Sequence, residues 1–557
     1  MKPHVTLNWG LRYEYFTPLR DANNLIGGWD PTVGLEQVGV NVNSPYNPYH
    51  KDFSPRLGVA WDIGGKGKTV IRAGGGVYYV DLVIGAMVDN INLPGRPSGI
   101  TSIPTAYSTG ADGTAPPLKP IASGGIGTSS LNFSGCLPGS CSGSNLNWSL
   151  AGPIFPAGQI GSASGFRCGD GLNGHPSPCS VYTMSRNLVP PRVETYTFGI
   201  QRTLTNNYTL EVNYIGDYSG NLAANRDVNA FNPQSPGELA FLPCGKKGAI
   251  QNHCELQSDR PYYAQFPYLQ YINVMSNSDV SNYNALQTTL TARGYHGLGF
   301  VAAYTYSHAL DDASSNRNQN VPQDNLNGAR DYGAANFDQR HHFSLTLNYA
   351  IPGKKGYGQM LEGWAVNSAV LLQSGLPFNP ADKRDISKNG DKVSTGRWDF
   401  FGNPSDFTAG TTPIPFYSNL ATMPAMCTQE ATAIGTVGAG GNLAKFGCFA
   451  QGNSVLIAPP TGTFGTSSRN LFRDQGFRDW DFSLFKNWTI KERLTAQFRA
   501  EVFNILNHTI LANPGGGGLT GDGTLGLSAN TPDAAGQNPL LGTGAAREIQ
   551  LGLKLLF

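Results

Sequence analysis

Two short motifs place reactive or ligating side chains close enough together to suggest chemistry. Gly139-Ser140-Cys141-Ser142-Gly143 has the form of a glycine-flanked nucleophile, which works only on a sharp turn between a strand and a helix. Both of its flanks are rich in Ser and Gly, so half of a disulfide is the favoured interpretation of Cys141. His341 and His342 are adjacent within a strand pattern. Their side chains therefore point to opposite faces and cannot easily bind one metal ion together.

A second group of candidates consists of oxygen ligands and glycine runs. Seven acidic or amide side chains in one loop could bind Ca²⁺, but the EF-hand spacing and its glycine are missing, so a solvated loop is the preferred interpretation. They are Asp311, Asp312, Asn316, Asn318, Asn320, Asp324 and Asp331. The glycine runs at 74–76, 438–441 and 515–518 lack the strand-to-helix setting of a phosphate-binding loop. The first lies inside a strand pattern and predicts a bend or bulge. No catalytic, cofactor-binding or metal site is predicted, and the chain is not expected to be an enzyme.

The cysteines predict disulfides. Each of three long loops holds an even number of cysteines, which indicates disulfides formed outside the reducing cytosol. Pairing between sequence neighbours is the simplest connectivity, although the four cysteines in 81–191 allow three arrangements. The eight candidates are Cys136, Cys141, Cys168, Cys179, Cys244, Cys254, Cys427 and Cys448.

The elements that must position these loops are strands with one apolar and one polar face. From residue 493 to 502 the apolar side chains alternate with Arg493, Thr495, Gln497, Arg499 and Glu501. The chain ends on a further alternating run, in which Leu553, Leu555 and Phe557 share one face. A period of two over about ten residues is typical of an outer-membrane barrel strand, with lipid outside and a polar lumen inside. Arg493, Gln497, Arg499 and Glu501 are therefore predicted to face the lumen, and the terminal strand to carry the barrel's assembly signal.

Twelve such strands are predicted, and the connections between them alternate strictly between short turns and long loops. That alternation is typical of a bacterial outer-membrane β-barrel, whose short turns are periplasmic. The strands are 3–16, 53–63, 66–80, 192–204, 206–219, 278–294, 298–309, 339–351, 360–375, 478–488, 491–506 and 545–557. The short connections include Gly64-Gly65, His296-Gly297 and the step through Thr489-Ile490. The predicted class is all-β, an antiparallel transmembrane barrel with long extracellular loops.

Composition agrees with this class. Charged residues are 14%, aromatic residues 11%, and the chain holds 70 glycines. The net charge of +1 gives no reason to expect a nucleic-acid partner. A strand begins where a secreted protein would carry a charged and then an apolar leader segment. We therefore expect that the chain starts inside a longer protein.

Three regions resemble the TonB-dependent receptors of the Oar-like type. The first is Tyr283-Asn284-Ala285-Leu286-Gln287 with Tyr304-Thr305-Tyr306-Ser307-His308-Ala309-Leu310-Asp311-Asp312. The second is Asn336-Phe337-Asp338-Gln339-Arg340-His341-His342-Phe343. The third and most specific runs from Asn470-Leu471-Phe472-Arg473 through Trp480-Asp481-Phe482-Ser483-Leu484 and Phe498-Arg499-Ala500-Glu501-Val502 to the carboxy terminus.

The resemblance implies a barrel of about twenty-two strands, a size whose lumen is normally plugged. The twelve strands of residues 1–557 then form the carboxy-terminal part, with the plug, signal peptide, amino-terminal β-sandwich and TonB-coupling segment expected upstream. The expected partners are outer-membrane lipid, the barrel-assembly machinery, the TonB complex through the upstream part, and an unidentified extracellular ligand. The leading function is import, with ligand captured by the long loops. A stand-alone twelve-stranded passive pore and a surface adhesin are the alternatives.

Overall fold

The structure is a computed structural model. It describes residues 4–18, 20, 27–32, 34–37, 42–81, 100–102, 154–155, 166–167, 179–231, 260–267, 269–314, 322–354, 356–387, 396–438, 440–491, 494–514, 518–531 and 546–557.

Twelve long strands form one antiparallel sheet in which every strand pairs with its neighbour in the sequence. Each of the twelve predicted segments coincides with one of these strands. In chain order they are β1 Val5–Glu14, β2 Asp52–Asp62, β3 Thr69–Tyr79, β4 Arg192–Thr205, β5 Tyr208–Asp227, β6 Leu269–Tyr295, β7 Leu298–Asp311, β8 His341–Ala350, β9 Trp364–Gln373, β10 Phe477–Lys491, β11 Leu494–Phe503 and β12 Glu548–Leu556. Within the described residues, β1 and β12 are the two edges of this sheet, and each pairs on one side only.

Cross-strand pairing sorts the side chains of all twelve strands into two faces, because directly opposed residues in an antiparallel pair lie on the same face. One row of opposed residues runs through Val59, Ala73, Phe198, Tyr214, Leu286, Tyr306 and His341. We call this side the apolar face and the other side the polar face. Large apolar side chains are exposed on the apolar face, including Trp9 at 80% and Leu551 at 67%. A soluble protein rarely exposes so large an apolar surface.

The short turns lie at one end of the sheet, which we call the short-turn end. Between β6 and β7 the two-residue turn His296-Gly297 has positive φ at both positions, 49° and 82°. This is the geometry of a type I′ hairpin, and a glycine at the second position accepts it without steric cost. The turn predicted at Thr489-Ile490 is wrong, because β10 continues to Lys491 and pairs there with Leu494. Thr and Ile are β-branched and favour the strand, and a register shift next to Ile490 accommodates the extra residue.

A buried lysine of β10 binds the turn between β8 and β9 at the short-turn end. Lys486 has no exposed surface, and its ammonium donates hydrogen bonds to the carbonyl oxygens of Gln359 at 2.5 Å, Asn487 at 3.1 Å and Glu362. The ammonium also lies 4.8 Å from the centre of the Trp488 ring. Charge-assisted bonds and ring contacts together hold the turn against the strand.

The glycine run at 74–76 does not produce the predicted bend or bulge. The pairing of β3 with both β2 and β4 passes through these glycines without a register shift. A Cβ at Gly75 would lie 3.0 Å from the carbonyl oxygen of Thr195, and one at Gly76 would lie 3.1 Å from the Arg56 side chain. Close approach of neighbouring groups therefore explains these glycines better than curvature does.

Two strands project beyond the sheet at the opposite end, which we call the long-loop end. β5 and β6 were predicted to stop near residues 219 and 278, but they continue as residues 221–227 and 269–280. In this projection β6 pairs in parallel with a short strand, Cys179–Met184. The projection lacks the exposed apolar surface of the sheet, because Leu269, Ile272 and Met275 are buried. Asn221 adopts a positive φ of 58° beside a register shift. The loss of the period-two pattern is why the sequence predicted an earlier end.

The long connections contain the main hydrophobic core. The connection between β9 and β10, residues 374–476, holds the helices α1 Ala425–Ala433 and α2 Asn442–Phe446 and a four-stranded sheet. Trp398, Phe407, Phe449 and Phe472 are its largest buried side chains. The remaining short strands are Gly27–Asp30, Gly34–Gln37, Ile100–Ser102, Ile154–Phe155, Phe166–Arg167, Gly333–Ala334, Pro377–Phe378, Asp399–Phe401, Phe416–Tyr417, Cys448–Gln451, Ser454–Ile457 and Phe472–Arg473. The 3₁₀ helices are Gly328–Asp331, Tyr357–Gln359 and Pro404–Phe407. Among the described residues, no helix is both long and apolar enough to cross a membrane.

Candidate functional site: the mouth at the long-loop end

Three arginines of the β9–β10 connection contact three aspartates beside the ends of β7 and β8, and we call this group of contacts the mouth. Arg469 donates through Nη2 to the carboxylate of Asp311 and to its backbone carbonyl oxygen at 2.6 Å. Its Nε donates to the carbonyl oxygen of Asp331 at 2.9 Å. Asp311 is the last residue of β7 and is opposed by Ser281, which lies on the polar face. The β9–β10 connection therefore lies against the polar side of the sheet.

The second pair, Arg397 with Asp331, is almost completely buried. The Arg397 guanidinium contacts the Asp331 carboxylate and donates to the carbonyl oxygens of Ser467 at 2.8 Å and Arg330 at 3.0 Å. The Gln323 side chain accepts from the Arg397 backbone N–H at 2.8 Å. Because each buried charge has a partner and further hydrogen bonds, the desolvation cost is offset.

The third pair centres on Asp338, whose carboxylate is fully buried. Arg473 contacts it through Nη2, Arg340 donates to it from Nε at 2.8 Å, and the Ala309 N–H donates at 2.7 Å. Burial alone would raise the pKa of Asp338, but these donors outweigh it and the pKa is lowered from its usual value. Asp338 therefore stays ionised and holds two guanidinium groups.

A polar contact joins two of the motifs that carry the resemblance. The Asn470 side-chain amide donates to the carbonyl oxygen of Ala334 and to the Asn336 side chain, both at 2.7 Å. Asn470 adopts a positive φ of 57°, which asparagine tolerates better than most residues. The segments 336–343 and 470–473, far apart in the sequence, thus form one structural unit at the mouth.

An ion pair between Arg226 and Asp279 lies in the projection of β5 and β6, beyond the twelve-stranded sheet. Arg226 Nη2 lies 3.2 Å from Asp279 Oδ1. Burial, followed by repulsion from Asp312, nevertheless raises the pKa of Asp279 to about 6. The ion pair is visible in the geometry, but it does not overcome the cost of removing the carboxylate from water.

The prediction of a solvated acidic loop is wrong for Asp311, Asp324 and Asp331, whereas Asp312 is partly exposed. Asp311, Asp324 and Asp331 are buried, and each pairs with an arginine. Asn316, Asn318 and Asn320 lie outside the described residues. Across the described ranges, no group of three or more His, Cys, Asp or Glu side chains could hold a metal ion. His341 and His342 lie on opposite faces, as predicted.

Of the cysteines, Cys427 and Cys448 form a disulfide between α1 and the strand Cys448–Gln451. These two are sequence neighbours among the cysteines. Cys179 begins the strand that pairs with β6, and nothing further is described of its side chain. The other five candidates lie outside the described residues; they are Cys136, Cys141, Cys168, Cys244 and Cys254.

The polar residues predicted to face the lumen lie together on the polar face of β11. Arg499 donates from Nε to Gln497 at 2.7 Å, Gln497 donates to Asn487 at 2.9 Å, and Glu501 is opposed by Ser483 and Gln550. Arg493 lies outside the described residues. Leu553 and Leu555 lie on the apolar face of β12, and Phe557 follows at 99% exposure.

Sequence patterns did not link the arginines of the mouth to their aspartates, although Arg473 lies in the third region of resemblance. Arg397 pairs across 66 residues, Arg473 across 135 and Arg469 across 158, so no local spacing links them to their aspartates. Only 14% of the residues are charged, so an arginine in a Gly- and Ser-rich loop is uncommon in this chain and marks a candidate for a specific contact.

A family model described as "Outer membrane beta barrel domain" matches residues 1–550. No curated protein matches the chain. Among solved structures, the outer membrane transporter YddB from Escherichia coli is similar at 9% identity and a TM-score of 0.36, over 84% of this chain and 38% of that one.

Two further solved structures come from Pseudomonas aeruginosa. A mutant of the ferric enterobactin receptor PfeA is similar at 11% identity and a TM-score of 0.36, over 100% of this chain and 42% of that one. The siderophore receptor PirA is similar at 9% identity and a TM-score of 0.28, over 91% of this chain and 43% of that one. The chain therefore spans about two fifths of the length of these structures.

Proposed function

The chain belongs to the family of outer membrane beta barrel domains, and from that membership we propose that it forms part of the wall of a TonB-dependent receptor of the Oar-like type, which imports a ligand. The protein is located in the bacterial outer membrane. The apolar face then contacts lipid, the polar face lines the lumen, and the long connections lie outside the cell.

The observation that carries the proposal is the folded β9–β10 connection fastened over the polar side of the wall. Its three arginines bind aspartates at the ends of β7 and β8, and its hydrophobic core gives it a fixed shape. A preformed surface at the mouth suits capture of a ligand, because little conformational entropy is lost on binding. This supports a receptor more than an unobstructed pore.

We further propose that these strands are the carboxy-terminal part of a larger barrel, of about twenty-two strands. In the described residues β1 and β12 each have one unpaired edge, and an open edge within lipid leaves backbone N–H and C=O groups without partners. Further strands would satisfy both edges. The plug, and coupling to the TonB complex, would then belong to parts of the protein outside residues 1–557.

Cysteine cross-linking in the outer membrane tests the larger barrel. One cysteine replaces Asn8 on the polar face of β1, and a second replaces Gln550, Gly552 or Lys554 on the polar face of β12. A larger barrel keeps the two edges apart, so none of the pairs should cross-link. A high yield for one register would show that twelve strands close on themselves. The pair Asn8→Cys with Gly58→Cys, directly opposed on β1 and β2, is the positive control.

Uptake measurements test import itself. Bacteria with and without the natural gene are given labelled iron chelates, a vitamin, oligosaccharides and peptides, each with and without a protonophore. Import predicts gene-dependent uptake of one class that the protonophore abolishes. Gene-dependent uptake of many small solutes that ignores the protonophore would refute import and favour the passive pore.

An adhesin is the second candidate, and the disulfide-linked fold of the β9–β10 connection favours it. A compact domain outside the cell can serve attachment as well as ligand capture. Replacing residues 377–472 by a short Gly/Ser linker should abolish cell-surface attachment in the adhesin, with uptake unchanged. Loss of uptake with attachment unchanged would exclude the adhesin.

A further inference from the structure

The apolar face ends at the long-loop end in a belt of aromatic and hydrogen-bonding side chains. On β10 the apolar-face side chains run from Trp488 at the short-turn end to Arg478 at the long-loop end, about 33 Å along the strand and about 25 Å of membrane thickness at the usual tilt. Arg478, and the residues level with it or beyond it on β7 and β8, are therefore at the level of the lipid head groups. We call Tyr304, Tyr306, His308, His341, Arg478 and Trp480 the outer belt.

The belt residues share the apolar face, and most of them are exposed. Tyr306 is opposed by His341, and its side chain is 46% exposed. Arg478 is opposed by Leu372, which is opposed in turn by Phe343, the second residue after His341. Two strand spacings therefore separate the His341 and Arg478 columns, about 10 Å. A phosphorylated disaccharide head group can span that distance.

The donors of the belt point outward and are free to bind a ligand. The Tyr304 hydroxyl lies 2.8 Å from His341 Nδ1, and the Tyr306 ring centre lies 5.2 Å from the His341 ring. A hydroxyl that donates to Nδ1 leaves the proton of a neutral imidazole on Nε2, where it can act as a donor. In the part of the chain that the structure describes, neither His341 Nε2 nor the Arg478 guanidinium has a hydrogen-bond partner.

The nearby acidic groups do not neutralise this surface. Asp338 is occupied by Arg340 and Arg473. Asp479 follows Arg478 in β10 and lies on the polar face. Arg340 also donates to His308 Nε2 at 2.6 Å. The belt thus combines the cationic Arg478 and the His341 N–H with aromatic rings, a combination that suits phosphate groups carried on sugar rings.

We infer that the outer belt binds a phosphorylated glycolipid of the outer leaflet. Arg478 and His341 hold its phosphates, and Tyr304, Tyr306 and Trp480 pack against its sugars. Continuity with the lipid-facing surface selects a membrane lipid rather than a soluble phosphate. The belt lies on the lipid side of the wall, so failure of this inference would leave the import proposal standing.

Binding of two lipids to the purified natural protein tests the inference. The probes are phosphorylated lipid A and the same lipid after phosphatase treatment, titrated in detergent and counted by native mass spectrometry. We expect the phosphorylated form to bind at least tenfold more tightly. The double variant H341Q/R478Q should lose about a hundredfold, since each charge-assisted contact contributes about tenfold.

One matched control shares the strand of His341 but not its face, and the other shares the apolar face but lies on β4. His342→Gln changes the neighbouring histidine, which lies on the polar face, and Arg202→Gln removes an apolar-face arginine at the short-turn end. Both should bind the lipid as the unmodified protein does. Equal binding of the two lipid forms would overturn the inference, as would equal losses in H342Q. Should a variant fail to fold, the two-lipid comparison on the unmodified protein still decides.

Discussion

Removal of the Cys427–Cys448 disulfide should loosen the β9–β10 connection without affecting the strands of the wall. The bridge closes a loop with a sequence separation of 21 residues, and both cysteines are fully buried in the cluster around α1. Constraint of the unfolded chain by a loop of that length is worth about 3 kcal/mol. If opening of the connection limits exchange, this corresponds to amide exchange about a hundredfold faster or more.

Hydrogen exchange with mass spectrometry can measure this on the protein in detergent. Peptides from residues 425–457 should exchange faster in the C427A/C448A variant, whereas peptides from β7 and β8 should be unchanged. Reduction of the unmodified protein is the matched control, because it breaks the same bond without altering side-chain volume. Protection within twofold of the oxidised protein would refute the reasoning and assign the stability to the hydrophobic core alone. Loss of protection in β7 and β8 would show that the connection and the wall unfold together.

Three further outcomes are expected. Arg473→Met should leave the buried Asp338 carboxylate with Arg340 as its remaining guanidinium, which costs about 2–3 kcal/mol and should speed proteolysis within 374–476. Stability should fall as pH rises, because the pKa of Asp279 in the folded protein, about 6, exceeds its ordinary value of 3.8. The contribution of Asp279 to the free energy of unfolding is complete below pH 3.8 and is lost as pH passes 6, in total about 3 kcal/mol. Asp279→Asn should therefore reduce the change in the urea-unfolding midpoint between pH 4 and 7. Lys486→Met should leave three carbonyls without their donor, which costs about 2 kcal/mol of stability and lowers the thermal midpoint in detergent, with transport unaffected.

Each of these has a control of the same residue type. Arg478→Met removes an exposed arginine and should not speed proteolysis. Asp522→Asn, in an exposed loop, should leave the pH dependence between 4 and 7 in place. Lys554→Met, on the edge strand β12, should cost less stability than Lys486→Met. An effect in any control as large as in its partner would show that charge number, and not the described contacts, is responsible.

The strands were predictable because the membrane imposes a strict local rule. Lipid on one side and water on the other require alternation, so residues such as Phe498, Arg499 and Ala500 reveal their faces from their immediate neighbours alone. The alternation of apolar and polar side chains stops where the strands leave the lipid. In the projection of β5 and β6 both faces meet water or protein, and alternation no longer distinguishes a strand from a loop.

The folded connections were not predictable for a different reason. The core around Trp398 and Phe407 also takes in Leu519 and Leu525 from the connection between β11 and β12, more than a hundred residues away. Its strands are two to four residues long, too short to show a period. Distance in the sequence also concealed the contacts of the mouth. Asp311 and Asp331 were visible as part of an acidic loop, but the arginines that bind them, Arg469 and Arg397, lie in the β9–β10 connection. Local spacing suggested solvation, whereas long-range pairing produced burial.

The three arginine–aspartate pairs of the mouth limit how it can open. Arg397, Arg469 and Arg473 join the β9–β10 connection to the wall, and breaking even one such buried pair costs about 3–5 kcal/mol. A ligand shifts such an equilibrium only by its difference in affinity for the two states. Opening by separation of all three pairs would demand more than most ligands supply. We therefore expect the connection to move as one body with β7 and β8, and a ligand that opens the path to act on segments outside this unit.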